Sequence, residues 1–472
     1  MAYGSLLLER RRGLHARLVE ALEALASDRG AEQVDRLAHH ALRGEVWDKA
    51  VTYCQQAGAR ARDRAAFREA VASLEQALQA LAHLPEDGDT RGLALELRLA
   101  LGRSLGALGE YRRHRALLDE AEALARALDD RARLGQVLAM MATVRRLMGD
   151  PDGAIAAGLQ ALALAAALGD SALQVQASVN IGMAYWAIGD FGRATELLRQ
   201  NVEAADREAG PPSTDLLIQS QGWLAQISGA LGVFAEGQRY GEEALRLATR
   251  AGRGTAPITA HGCLGFLSLA KGDLEHAIRI LEQGLTLCRT SGNRDWFRSI
   301  GAGLGYAYAL QGRLAEGRAL LEEAISENIR TGGLQGHSNQ LTRLSEVCRL
   351  AGHGDEALQH ARQALDLARQ HKERANEARA LHQLGVVYAH AALPEVAQAA
   401  GHYQQALALA DELGMRPLQA HCHHELGTLY ATTGQHDQAH AELSTAIALY
   451  RAMDMTFWLP QAEAVLAQLE GQ

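Results

Sequence analysis

Ile188-Gly189-Asp190-Phe191 recurs with small variations as Leu108-Gly109-Glu110-Tyr111, Met148-Gly149-Asp150, Lys271-Gly272-Asp273-Leu274 and Gln311-Gly312-Arg313-Leu314. With Gly109, Gly149, Gly189, Gly232, Gly272, Gly312, Gly352 and Gly434 as landmarks, successive steps are 40, 40, 43, 40, 40, 40 and 82 residues. The last step holds a degenerate copy centred on Ala392, and another copy lies upstream at Ala65. A fixed period of this length marks a repeat architecture, in which each unit needs its neighbours to bury its apolar face.

Two further columns share the frame. Seven residues before each landmark stand Gly58, Gly102, Ala142, Gly182, Ala225, Gly265, Gly305, Ser345, Gly385 and Gly427, all small. Five residues after stand Ala70, His114, Ala154, Ala194, Gly237, Ala277, Gly317, Ala357, Ala397 and Ala439, where only His114 is bulky. This pattern predicts a helical hairpin with one small residue on each helix where the axes cross and a glycine in the turn between them. The residue before the first small column is apolar throughout (Leu101, Met141, Ile181, Leu224, Leu264, Leu304, Leu344, Leu384, Leu426) and reads as the core knob.

Composition agrees with an all-α chain. Of 472 residues 48% are apolar, only 8 are Pro and 5% are aromatic, which favours helix over sheet. The net charge of −9 lacks the basic surface that a phosphate backbone demands, so nucleic acid is not expected as a partner. Arg10-Arg11-Arg12, with His15 and Arg17, is a local basic cluster that reads as a solvated face or an intramolecular contact. The five cysteines are scattered without a C-x-x-C pair, which argues against a disulfide framework or a zinc site and fits a reducing cytoplasm. The most apolar stretch, Ala154 to Gly169, is interrupted by Gln160 and reads as too short for a membrane span.

Together the columns read L-G-x-x-Y, then G-D-x, then A, as in Leu384-Gly385-Val386-Val387-Tyr388, and so resemble the tetratricopeptide repeat over residues 45–472. The period is 40 rather than 34, and the proline near the end of the second helix is missing, departures that longer second helices would explain. In this the array is similar to the MalT-like regions of bacterial signalling proteins. The resemblance implies an all-α, right-handed superhelical solenoid of about ten antiparallel hairpins. Residues 1–44 stand apart, with a helix expected over Leu6–Ala26. The segment from Gln33 to Gly44 is similar to the junction that follows an ATPase module in large bacterial regulators, often with an adenylate cyclase domain further upstream. The tail Met455–Glu463 resembles the ending of the same proteins. The resemblance thus implies a fragment or stand-alone relative of such a regulator.

Catalytic signatures are sparse. No G-x-x-x-x-G-K-[ST] phosphate loop and no G-x-S-x-G elbow occurs. Gly301-Ala302-Gly303-Leu304-Gly305 imitates a dinucleotide loop but falls inside a first helix with no strand before it. His421-Cys422-His423-His424 places two imidazoles on one helix face yet lacks a third fixed ligand, and reads as a His-rich first turn. His39-His40 point about 100° apart on a helix, so one should be packed and the other solvated. No catalytic, cofactor or metal residues are assigned, and an enzyme is not expected.

Solenoids work through their concave face. Thirteen residues before each landmark, a first-helix column reads Glu96, Gln136, Gln176, Gln219, Thr259, Ser299, Asn339, Arg379 and His421, polar throughout. Further along the same helices come Arg103, Thr143, Arg146, Met183, Trp186, Gln226, Phe266, Glu346, Arg349, His382 and His424. The candidate contacts are Gln136, Arg146, Gln176, Met183, Trp186, Gln219, Gln226, Phe266, Asn339, Arg349, Arg379 and His382, with an apolar patch of Met183, Trp186 and Phe266 near the middle and cations toward the C-terminal half. The expected partner is a protein or peptide, with an ATPase or cyclase module of a related protein as one candidate. The alternative is a small-molecule inducer held in a compact polar pocket.

Overall fold

The computed structural model describes residues 8–25, 33–207, 214–251 and 255–471, in which lie 23 helices and no strand. Leu6, Leu7 and Ala26 of the expected first helix lie outside the described residues. Helices α1 (Leu8–Leu25) and α2 (Val34–Gly44) come first. Ten helix pairs follow: α3 (Trp47–Asp63) with α4 (Phe67–Leu81), α5 (Gly88–Ala107) with α6 (Tyr111–Ala127), α7 (Arg131–Leu147) with α8 (Pro151–Leu168), α9 (Ser171–Ile188) with α10 (Phe191–Arg207), and α11 (Thr214–Leu231) with α12 (Phe234–Ala251). The series continues with α13 (Ala256–Lys271) and α14 (Leu274–Ser291), α15 (Arg294–Leu310) and α16 (Leu314–Thr331), α17 (His337–Leu350) and α18 (Gly354–Gln370), α19 (Arg374–Ala389) and α20 (Val396–Leu413), and α21 (Arg416–Thr432) and α22 (His436–Ala452). The last helix is α23 (Leu459–Glu470). The chain forms two compact units, residues 1–140 and 141–472.

The landmark turns explain the glycines. Gly189 has φ +84°, a left-handed conformation that an L side chain resists, and the other landmark glycines match it. Ala65, the upstream landmark, takes the same region at φ +58° without being glycine. A second set of left-handed turns joins a hairpin to the helix that follows it, at Asp129, Gly169, Gly292, Gly332, Lys372, Gly414 and Asp454. The loop around Ala392 departs from the frame: α20 starts at Val396, Ala397 is exposed, and Ala399 is the fully buried small residue, so this connection is two residues longer than the columns implied.

The first small column receives a knob from the second helix. A Cβ on Gly58, Gly182, Gly265, Gly385 or Gly427 would strike Leu74, Leu198, Leu281, Tyr403 or Leu443 within about 3 Å, and all five of those side chains are buried. Close packing therefore fixes glycine there. At Gly305 and Gly317 the helices approach further, and each absent Cβ would meet the other's carbonyl oxygen, at 2.7 and 2.4 Å. The apolar knobs Leu101, Met141, Ile181, Leu224, Leu264, Leu304, Leu344, Leu384 and Leu426 are all no more than 4% exposed.

His114, the bulky exception, nests over Gly102 and Gly106, whose absent Cβ atoms would lie 2.9 and 3.4 Å from the ring. Neither ring nitrogen has a hydrogen-bond partner among the described residues, and burial pushes the imidazole down to about 4. The unfolded chain therefore takes up this proton first as pH falls below 6.5, and the stability contributed by the neutral ring is lost between about 6.5 and 4. Going from pH 7 to pH 5 should cost about 2 kcal/mol through this residue. Urea denaturation of His114→Leu should show that part of the acid sensitivity removed.

In the first unit α1 and α2 share a core with α3 to α5 through Val19, Leu22, Leu37, Leu74 and Leu97. Arg12 pairs with Glu45, and His40 meets His15 across helices, Nδ1 to Nδ1 at 2.8 Å, while His39 is exposed. Within the second unit the array coils back on itself. The Leu147 carbonyl accepts from the Leu334 amide at 2.9 Å, Lys372 pairs with Asp152, and Lys271 pairs with Asp454 at 2.6 Å. Landmark turns meet hairpin-to-hairpin turns along this seam: Gly149 lies against His371, Gly232 against Met453, and Gly272 against Trp458.

Helix α8, of 18 residues, starts three residues before the expected apolar stretch, with Pro151 in its first turn, and by length and composition is the one described helix that could cross a membrane. Here it is a hairpin helix whose Gly158 packs on Ile181 of α9.

Candidate ligand-binding cavity

The first helices of successive hairpins face inward in the second unit and line a cavity of about 820 Å³. Its lining follows the helical period. Ser299, Asn339, Arg379 and His421 of the polar column all face it, and so do Arg343, Gln383 and Glu425, four residues further along the last three of those helices. Met183, Gln226, Phe266, Tyr306, Glu346 and Val386 lie on the next turn, and Arg146, Trp186, Gly229 and Arg349 on the last. Phe457, Trp458 and Gln461, just before and within α23, complete the lining.

An aromatic ladder crosses the inner helices. Trp186 meets Trp223 edge to face with centroids 5.0 Å apart, and Trp223 lies 6.2 Å from Trp296. Phe266 lies over Gly303, where a Cβ would come within 2.5 Å of its ring, and the guanidinium of Arg343 stands 5.8 Å from the Phe266 centroid and 5.6 Å from that of Tyr306. Of the glycines that imitate a dinucleotide loop, Gly303 thus makes room for an aromatic ring.

Most of the cavity's charges are engaged. Arg349 grips Glu346 through two bonds of 2.8 and 2.7 Å, Gln383 adds a third at 3.1 Å, and Arg298 reaches Asp295 at 2.8 Å. Arg146 donates to Gln335. Burial holds His382 and His424 below the ordinary imidazole value and His421 well below it, favouring neutral rings. His421 is hydrogen-bonded to Tyr450 at 2.8 Å and His423 to Glu442 at 2.5 Å.

Residues 133–207 match the tetratricopeptide repeat family. This segment carries tetratricopeptide repeats. Among solved structures, a Rap protein complexed with competence and sporulation factor is similar over 77% of this chain and 99% of its own, at 14% identity and a TM-score of 0.53. A signal-transduction ATPase with numerous domains and a tetratricopeptide repeat sensor, from Pyrococcus horikoshii, is similar at 14% identity and a TM-score of 0.44, over 80% of this chain and 54% of its own. At such identities the first likeness is one of fold. No curated protein matches the chain.

Nine of the twelve residues singled out on the inner face of the repeats line the cavity: Arg146, Met183, Trp186, Gln226, Phe266, Asn339, Arg349, Arg379 and His382. Gln136 instead borders a separate hollow of about 440 Å³ in the first unit, with Glu96, Arg103 and Arg133. Gln176 and Gln219 sit in the early turns of α9 and α11 and stay outside, because the lining on those helices begins at Met183 and Trp223. Sequence reading missed Trp223, Trp296, Tyr306, Arg343 and Glu425. Stepping four residues on from each polar-column position, by the period of a helix, would have found Arg343, Gln383 and Glu425.

Proposed function

We propose that the chain is a non-catalytic binding module whose second unit takes a segment of a protein partner into its inner cavity. The observation that carries this reading is the lining itself: aromatic rings from α9, α11, α13 and α15 stand beside side-chain amides at Gln226, Asn339 and Gln383. Rings supply apolar anchoring and amides suit the polar groups of an extended backbone. The Rap protein of the same fold, complexed with competence and sporulation factor, lends support. A second reading, a small-molecule inducer site, is favoured by the volume of about 820 Å³, which falls within the usual range of small-ligand pockets. A relation to ATPase- or cyclase-linked regulators rests on the resemblance of residues 33–44 and 455–463.

Thermal-shift measurement against peptide and metabolite libraries tests the proposal, since only ligands of the folded state raise stability. Peptides should stabilise the chain, and the double substitution Trp186→Ala, Phe266→Ala should weaken them by roughly tenfold or more. Stabilisation by metabolites alone would shift the conclusion to the second reading. Affinity unchanged within about threefold in the double variant would remove the cavity as the site.

A further inference from the structure

The cavity is lined by five arginines, Arg146, Arg298, Arg343, Arg349 and Arg379, against three carboxylates, Asp295, Glu346 and Glu425. Two of those carboxylates are taken by Arg298 and Arg349. The third, Glu425, accepts from Tyr403 at 3.3 Å and lies within electrostatic reach of His382 and His424. Among the described residues Arg343 and Arg379 form no ion pair: Arg343 rests on the Phe266 and Tyr306 rings, and Arg379 donates to Asn376, at 2.9 Å. Nearby Glu373 is already engaged by the Gly336 amide, Ser338 and Asn376.

Holding two guanidinium groups near one another in a partly desolvated hollow is unfavourable unless an anion joins them. Burial pulls Arg343 down to about 10, and burial together with the neighbouring Arg343 charge pulls Arg379 down to about 10, so both remain cationic at neutral pH while bearing that cost. An independent sign is Gln335. This residue is 9% exposed, lines the same cavity, and has an Nε2 donor with no partner among the described residues. Donors are in surplus here, and what they lack is a set of acceptor oxygens.

On the reading that the cavity takes a partner segment, we infer that the segment is an acidic peptide, its side-chain carboxylates held by Arg343 and Arg379 and its apolar side chains laid against Trp186, Trp223 and Trp296. The cations sit on α17 and α19 and the indoles on α9, α11 and α15, so one ligand must present both kinds of group along its length. A planar guanidinium suits a carboxylate through two parallel N–H donors.

Two pools of synthetic hexapeptides test this on the full chain, one with adjacent Glu residues beside Leu or Trp and one with Gln in place of Glu. Citrate alone is the small-acid control. The Glu pool should bind at least about tenfold more tightly than the Gln pool. The double substitution Arg343→Gln, Arg379→Gln should lower Glu-pool affinity roughly 30-fold and leave Gln-pool affinity within about threefold. The ligand-free melting temperature should hold or rise, because the like-charge pair is gone. Equal binding of both pools, or undiminished Glu-pool affinity in the folded double variant, overturns the inference while the proposed function stands. Stabilisation by citrate equal to that by the Glu pool overturns the peptide class, and stabilisation by none of the three overturns the inference together with the proposed function.

Discussion

Gly317→Ala should destabilise the chain by about 3 kcal/mol, whereas Gly401→Ala should stabilise it by about 0.5–1 kcal/mol. Both glycines lie within second helices of hairpins, α16 and α20, so helix propensity alone makes alanine the better residue at each. What separates them is space. A Cβ on Gly401 meets nothing within 4 Å, while one on Gly317 would lie 2.4 Å from the Gly305 carbonyl oxygen and 3.0 Å from the Ala309 amide nitrogen. Those are backbone atoms, which no rotamer change can move aside, so α15 and α16 must part. Urea denaturation followed by far-ultraviolet circular dichroism gives both numbers, and a neutral Gly317→Ala would remove the account of the small columns.

A second large effect is expected along the seam. Gly272 and Gly312 occupy equivalent turns with φ of +89° and +88°, and Gly149 and Gly434 with +78° and +76°. Alanine at any of them bears roughly 1–2 kcal/mol of left-handed backbone strain. At Gly312 and Gly434 that is all, because nothing lies within 4 Å. At Gly149 the new methyl would meet the His371 ring at 2.4 Å, and at Gly272 the Trp458 ring at 2.7 Å. Overpacking against these rings adds roughly 1–3 kcal/mol. Gly149→Ala and Gly272→Ala should therefore cost about twice what Gly434→Ala and Gly312→Ala do, in the same denaturation experiment.

The hairpins were legible because their geometry is local. A turn that needs φ above zero and a helix face that must admit a leucine leave glycine and alanine at fixed spacings. The turns between hairpins obey the same period but were hidden, because Asp129, Lys372 and Asp454 adopt the left-handed region without being glycine. The two-residue lengthening before α20 was hidden for a related reason: with no landmark glycine near Ala392, the buried Ala399 could not be told from Ala397. The inner face was partly legible, since polar residues in a first-helix column are conspicuous. Arg343 was missed because it shares its column with Trp223 and Gly303, which obscure any common chemistry. The seam was illegible altogether. Its partners lie some 180 to 220 residues apart, as Lys271 from Asp454 and Lys372 from Asp152, and no period announces which turns will meet.

The chain has three lysines, Lys49, Lys271 and Lys372, and two of them stand on that seam, which makes zero-length carbodiimide coupling followed by peptide mass spectrometry the most direct measurement of whether the second unit coils around a cavity. The account predicts amide cross-links joining Lys372 to Asp152 and Lys271 to Asp454 within single chains. Efficient coupling of Lys49 to Glu23 with neither seam cross-link formed, in a fully helical sample, would contradict it.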